Sequence, residues 1–215
     1  MPKFQEMMRK YPHALKHMTI SLVDACMGVH REAILAVSHR WEDPAQPDGQ
    51  GVQLETIREF LSERPGIQYL FFDFSSMPQG NRTAAENRAF KAMLPNINLL
   101  YMGCTVLVLQ DLSYMSRFWT QFEAWLSCQK ATASGLVSAP LSERRCTVRC
   151  IHNAPADLAT NLLTMWGGKT SIEAYEILRK PDVVVTNASD KEAQLPKLLA
   201  LDRMVAASMS EMLEA

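Results

Sequence analysis

The residues richest in chemistry fall within positions 101–125, YMGCTVLVLQDLSYMSRFWTQFEAW. An apolar run there passes through a short polar loop into a helix that opens with aromatic side chains and carries Glu123 one turn after Trp119. A carboxylate just past the carboxyl end of a parallel strand stands where open α/β sheets build their binding sites. The exits of the other apolar runs add His39, Arg40 and Trp41 after AILAVS, and Asp73, Ser75 and Ser76 after IQYLFF. Ser113 and Ser116 follow TVLVL, and His152 and Asn153 follow CTVRCI. Parallel strands point their carboxyl ends to one edge, so these positions gather into one rim although they are far apart in sequence. Such a rim suits a nucleotide-like ligand. Trp41 would stack on a ring, Arg40 would answer phosphate charge, and Glu123 would accept hydrogen bonds from ribose hydroxyls. Neither the Gly-x-Gly-x-x-Gly fingerprint nor the Gly-Lys-Ser/Thr phosphate loop occurs, which disfavours a redox dinucleotide enzyme and an ordinary ATPase.

The elements that must position these residues follow from hydrophobic spacing. Met7, Met8, Tyr11, Leu15, Met18 and Leu22 predict one or two amphipathic helices before the first strand. His13 and His17 share a helix face there but lack a third ligand, so no metal site is expected. Strands are predicted over residues 33–38, 67–72, 105–109 and 146–151, with a last short one at 183–185. Helices are predicted over 52–61, 83–94 with an interruption at Pro95, and 118–129, and residues 134–142 read as a small-residue loop. Thr170 with Glu173, and Ser189 with Glu192, have the spacing of capping boxes. Near-continuous apolar strands alternating with helices predict a three-layer α/β domain, with a flavodoxin-like parallel sheet of about five strands covered on both faces. The expected organisation is a helical extension over 1–30, an α/β core over 31–153, and a C-terminal completion over 154–215. Its irregular part, near 155–182, reads as an insertion or lid.

Composition narrows the class. The chain has 215 residues, 47% of them hydrophobic, enough for one sizeable core. A formal net charge of −1 with scattered basic residues gives no footprint for nucleic acid. Five cysteines without CxxC spacing read as reduced, packed thiols. No stretch is long enough to span a bilayer, and the N-terminal residues lack a signal-peptide core, so a cytoplasmic location without membrane partners is expected. Asn187-Ala188-Ser189 matches a glycosylation sequon, read as accidental.

Three segments resemble the Toll/interleukin-1 receptor (TIR) fold and the related fungal heterokaryon-incompatibility domains. LAVSHRW looks like their opening strand, and YLFFDFSSMPQ resembles their second strand with its aspartate, in wording closer to the heterokaryon group. The stretch YMSRFWTQFE is similar to the family's Tyr, Ser, Trp-Cys and Glu pattern, with the same Trp-to-Glu spacing. Thr120 stands at the usual Cys position, and one residue more separates Ser116 from Trp119. The resemblance covers about residues 33–153. It implies cleavage of the nicotinamide–ribose bond of NAD⁺, a substrate rather than a permanently bound cofactor, with Glu123 as catalytic carboxylate. The substrate-binding set would be His39, Arg40, Trp41, Asp73, Ser76, Ser113, Ser116 and Trp119, with no metal. It also implies self-association, and it leaves a non-catalytic assembly module as the alternative. A nucleoside deoxyribosyltransferase, another N-glycosidic enzyme on a similar sheet with a glutamate, is a further reading.

Each residue has a plainer reading as well. Glu123 reads as a solvated helix residue, and Phe118, Trp119, Phe122 and Trp125 as a core stripe. Asp73 reads as a turn residue, His39 as a packed neutral ring, and Arg40 as the partner of Asp73 or Glu123.

Overall fold

The computed structural model describes residues 1–185 and 188–214, so Asn187 of the sequon lies outside the described residues. A four-stranded, all-parallel sheet forms the centre, built from β1 (Ile34–His39), β2 (Tyr69–Phe71), β3 (Thr105–Gln110) and a strand at Cys146–Cys150. Between the last two lies an antiparallel hairpin of β4 (Gln129–Thr132) and β5 (Gly135–Ser138), which makes Cys146–Cys150 β6. The sheet order β2-β1-β3-β6 is compatible with a flavodoxin-like arrangement. Chain direction across the sheet reverses between β1 and β3, at the switch point where such sheets open a crevice.

All six residues of β1 are buried, as a strand covered on both faces requires. Its alternate residues divide the interior. Leu35 and Val37 join Leu107, Leu109, Ile57, Phe60 and Phe72 on one face. Ala36 joins Val106, Val108, Phe118, Phe122, Trp125 and Trp166 on the other. The first face is covered by α1 (Val52–Ser62), whose start is capped by Asp48, accepting from the Gln53 and Leu54 N–H groups at 3.0 and 2.9 Å.

The second face carries more helix. There α2 (Asn98–Gly103) and α3 (Phe118–Ser127) pack together, and the long helix Ala188–Glu214 lies over the hairpin. The segment over 155–182 forms helices at Asp157–Gly167 and Ser171–Leu178, whose Leu162, Trp166, Ala174 and Leu178 are part of this core. The second helix has the Thr170–Glu173 capping box read from the sequence. The N-terminal residues are also integrated: the helix Leu22–Met27 sets Ala25 in the core, and Pro2 O accepts from Ser75 Oγ at 2.6 Å. No helix among the described residues is long and apolar enough to cross a membrane.

Three expectations change. Val183–Val185 adds no fifth strand to the sheet: Val184 bridges Arg117, in the loop entering α3, through Phe118 N–H to Val184 O and Val184 N–H to Ser116 O, both 2.8 Å. The helix expected to reach residue 129 ends at Ser127, and the expected loop over 134–142 contains β5 instead.

Candidate functional site

The carboxyl ends of β1, β2 and β3 bring two groups of polar side chains together. The first surrounds Glu123. Ser38, the penultimate residue of β1, points to the α3 face, and its Oγ donates to Glu123 Oε2 at 2.6 Å. The same Oγ is 2.6 Å from the Tyr114 hydroxyl, which donates to Thr120 O at 2.9 Å. Tyr101 donates to Val37 O at 3.2 Å. Glu123 keeps only 9% of its exposure, so it is a buried residue rather than a solvated one.

Burial pushes the Glu123 carboxyl up to about 8, hydrogen bonding from Ser38 opposes this, and the charge of Asp73 adds to the rise. A count of protons agrees. The contacts from Thr120 O through Tyr114 and Ser38 to Glu123 number three, whereas the two hydroxyls supply one proton each. While Ser38 donates to Glu123 and Tyr114 to Thr120 O, no proton is left between Ser38 and Tyr114; a protonated glutamate that donates to Ser38 frees the serine proton for Tyr114 and makes all three hydrogen bonds at once. The ionised form therefore costs one link of the chain as well as desolvation.

Asp73 organises the neighbouring ring pair. Its Oδ1 is 2.9 Å from His39 Nε2, the Trp41 indole N–H reaches both carboxylate oxygens at 3.1 and 3.0 Å, and Phe74 N–H donates at 2.6 Å. The His39 ring stacks on Phe72 with centroids 4.1 Å apart, and its Nδ1 is buried with no hydrogen-bond partner among the described residues. A ring protonated at Nε2 leaves that Nδ1 as a bare lone pair, the packed histidine of the plainer reading. Trp41 lies edge-on to Phe74, so its indole is held at the N–H edge and at one face.

The second group sits at the switch point. Arg40 Nε and Nη2 both lie 2.6 Å from Asp111 Oδ2, which joins the end of β1 to the end of β3. The partner of Arg40 is thus neither Asp73 nor Glu123, because Asp111 stands directly across the adjacent strand end. An open cleft of about 240 Å³ is lined by Arg40, Asp111, Leu112, Ser113, His152 and Asn153. His152 holds a left-handed backbone (φ 54°) and places Nε2 2.8 Å from Glu42 Oε1. Such a conformation in a non-glycine residue costs free energy and clusters at functional rims. Glu123 does not line this cleft.

The remaining candidates do structural work. Ser76 Oγ accepts from Phe72 N–H at 3.2 Å, and Ser116 Oγ donates to Ser113 O at 2.7 Å. Ser113 is exposed, and its N–H donates to Asp111 Oδ1 at 3.0 Å. Trp119 is half-buried, edge-on to Phe118, and packs on the core as the stripe reading predicts. Sequence reasoning missed Ser38, Tyr101, Tyr114 and Asp111 as members of the site. A serine inside an otherwise apolar strand was the available signal, since a buried hydroxyl needs a partner. Among the described residues, no group of three or more His, Cys, Asp or Glu side chains could hold a metal ion.

Comparison with protein-family models, curated proteins and solved structures finds no match to this chain.

Proposed function

We propose that the chain is a TIR-like domain that hydrolyses NAD⁺ at the nicotinamide–ribose bond, with Glu123 as the key carboxylate. The observation that carries this reading is the buried Glu123 carboxyl beside the carboxyl end of the central strand, held by Ser38 and facing the charge of Asp73. Nicotinamide leaves a cationic ring as a neutral molecule, so its departure needs no general acid. The ribosyl centre becomes an oxocarbenium ion, which a fixed, desolvated carboxylate stabilises, and water completes the reaction to ADP-ribose and a proton.

The pyridinium charge of the substrate supplies what the free site lacks. A cation brought beside Glu123 lowers the carboxyl again, so substrate binding expels the proton held at neutral pH. With the free carboxyl at about 8, kcat/KM rises with pH and levels above that value. Arg40, which lines the cleft in its pair with Asp111, is the cation assigned to the pyrophosphate, and His39 and Trp41, both held by Asp73, stand at the same strand end. Self-association belongs to the reading as the event that opens a path from the cleft to Glu123.

A non-catalytic assembly module is the second reading. It is favoured by the hydrogen-bond chain around Glu123, which is complete without a ligand when the carboxyl is protonated.

The deciding experiment follows NAD⁺ consumption by concentrated protein, with Glu123→Gln alongside, products resolved by mass and a parallel incubation with free nucleosides. Nicotinamide release that disappears in the variant supports the glycohydrolase. Silence from both proteins, including after enforced oligomerisation, overturns it in favour of the assembly module, and turnover of nucleosides alone points to a deoxyribosyltransferase.

A further inference from the structure

At the amino edge of the sheet, away from Glu123, two thiols face each other. Cys128 follows α3 directly and Cys146 opens β6, and their Sγ atoms are 3.7 Å apart. Neither belongs to the proposed site. Arg145 precedes Cys146, is 9% exposed, and its guanidinium donates to four backbone carbonyls. These are Tyr101 and Cys104 at the end of α2, at 2.7 and 3.1 Å, and Leu126 and Gln129 at the end of α3, at 3.0 and 2.8 Å. The helix ends supply partial negative charge. Among the described residues no carboxylate pairs with this guanidinium; the groups around it that can become anionic are the thiols of Cys146, Cys104 and Cys128.

The pair is electrically asymmetric. Contact with the Cys128 thiol lowers the Cys146 thiol below its ordinary range against the effect of burial, and Ser127, Arg145 and Arg144 reinforce it. The same contact, with burial, pushes Cys128 up. Cys146 is also half-buried, whereas Cys128 is 1% exposed. Cys146, the less buried of the two, is thus the sulfur drawn toward the thiolate, and Cys128 is a shielded thiol within reach of it, the arrangement of an attacking and a resolving cysteine.

We propose that Cys146 and Cys128 form a peroxide-sensitive dithiol that closes to a disulfide. The Cys146 thiolate attacks one oxygen of hydrogen peroxide, the O–O bond breaks, and Cys146 becomes a sulfenic acid as hydroxide leaves. Cys128 then attacks that sulfur, the S–O bond breaks, and water departs with the Cys128 proton. Peroxide gains the two electrons that the two thiols lose. The sulfurs must approach by roughly 1.7 Å to reach bonding distance. The new bond would fasten the end of α3, which carries Glu123, to the first residue of β6. This inference does not rest on NAD⁺ hydrolysis.

The test treats the native full chain with a small excess of hydrogen peroxide, blocks residual thiols under denaturing conditions, digests it with trypsin and identifies the linked peptides. The expected product joins residues 118–130 to residues 146–149. It disappears in Cys128→Ser, where Cys146 is instead trapped as a sulfenic acid by a dimedone reagent. In untreated protein near pH 7, Cys146 should alkylate about tenfold faster than Cys26, which burial pushes up. Peroxide that oxidises other cysteines without giving this linked pair, or alkylation of Cys146 no faster than Cys26, would overturn the proposal even if the serine variant fails to fold.

Discussion

Ser38 on the central strand and Glu123 on the helix after β3 share a hydrogen bond of 2.6 Å although 85 residues separate them. That bond decides how the glutamate behaves. Ser38 links the carboxyl to the Tyr114 hydroxyl, and its hydrogen bond favours the ionised form against burial. Ser38→Ala should move the Glu123 titration further up, which carbon NMR of the labelled carboxyl would follow. A titration that moves down instead would mean that Ser38 stabilises the protonated form more.

The same carboxyl makes stability depend on pH. An unfolded glutamate ionises near 4.5 and the folded one at about 8, so the folded state holds an extra proton between these values. The contribution of Glu123 is full below about pH 4.5, declines as pH rises and is lost by about pH 8, at most about 5 kcal/mol in all. Urea denaturation at several pH values should show this decline in the native chain. Glu123→Gln, neutral throughout, should flatten it and be the more stable protein on the alkaline side.

Arg40 and Asp111 close the switch point with side chains 22% and 10% exposed. Arg40→Ala leaves Asp111 short of its charged partner and should cost about 1–3 kcal/mol by denaturant unfolding. Asp111→Asn, which keeps an acceptor, should cost less. Equal losses would show that packing of the arginine stem, rather than the charge contact, holds the two strand ends together.

Gly103 ends α2 against the helix Leu22–Met27. A Cβ added there would lie 2.5 Å from Ala25 Cα and 2.9 Å from its Cβ, backbone that cannot give way locally. Gly103→Ala should therefore lower stability by about 1–3 kcal/mol or more. Gly168, whose added Cβ meets nothing within 4 Å, is the control and should shift stability by no more than about 0.5 kcal/mol.

The central strands were legible because β1 and β3 are buried on both faces and read as unbroken apolar runs. The hairpin was not: its turn uses Ala133 and Ser134, with Gly135 at φ 102°, and lacks the Asn-Gly or Asp-Gly pair that announces a two-residue turn. Val183–Val185 has the composition of a strand, but tertiary contact with Arg117 decides its place. Strand-exit position is what brings Arg40, Ser113, His152 and Asn153 around one cleft. Position alone could not reveal that Asp111 takes Arg40, or that Ser38 and Tyr114 enclose Glu123, because those pairings depend on strand register.

Arg145 has a consequence for the order of folding. Its four acceptors lie 16 to 44 residues earlier in the chain, at the ends of two helices whose final carbonyls need partners once buried. A nascent chain that has emerged only as far as the hairpin holds both helices with those ends unsatisfied. Those carbonyls gain their partner only when β6 lies beside β3 and delivers the guanidinium. The helix that carries Glu123 is thereby finished, at its closing carbonyl, by a side chain that the last strand of the sheet brings in.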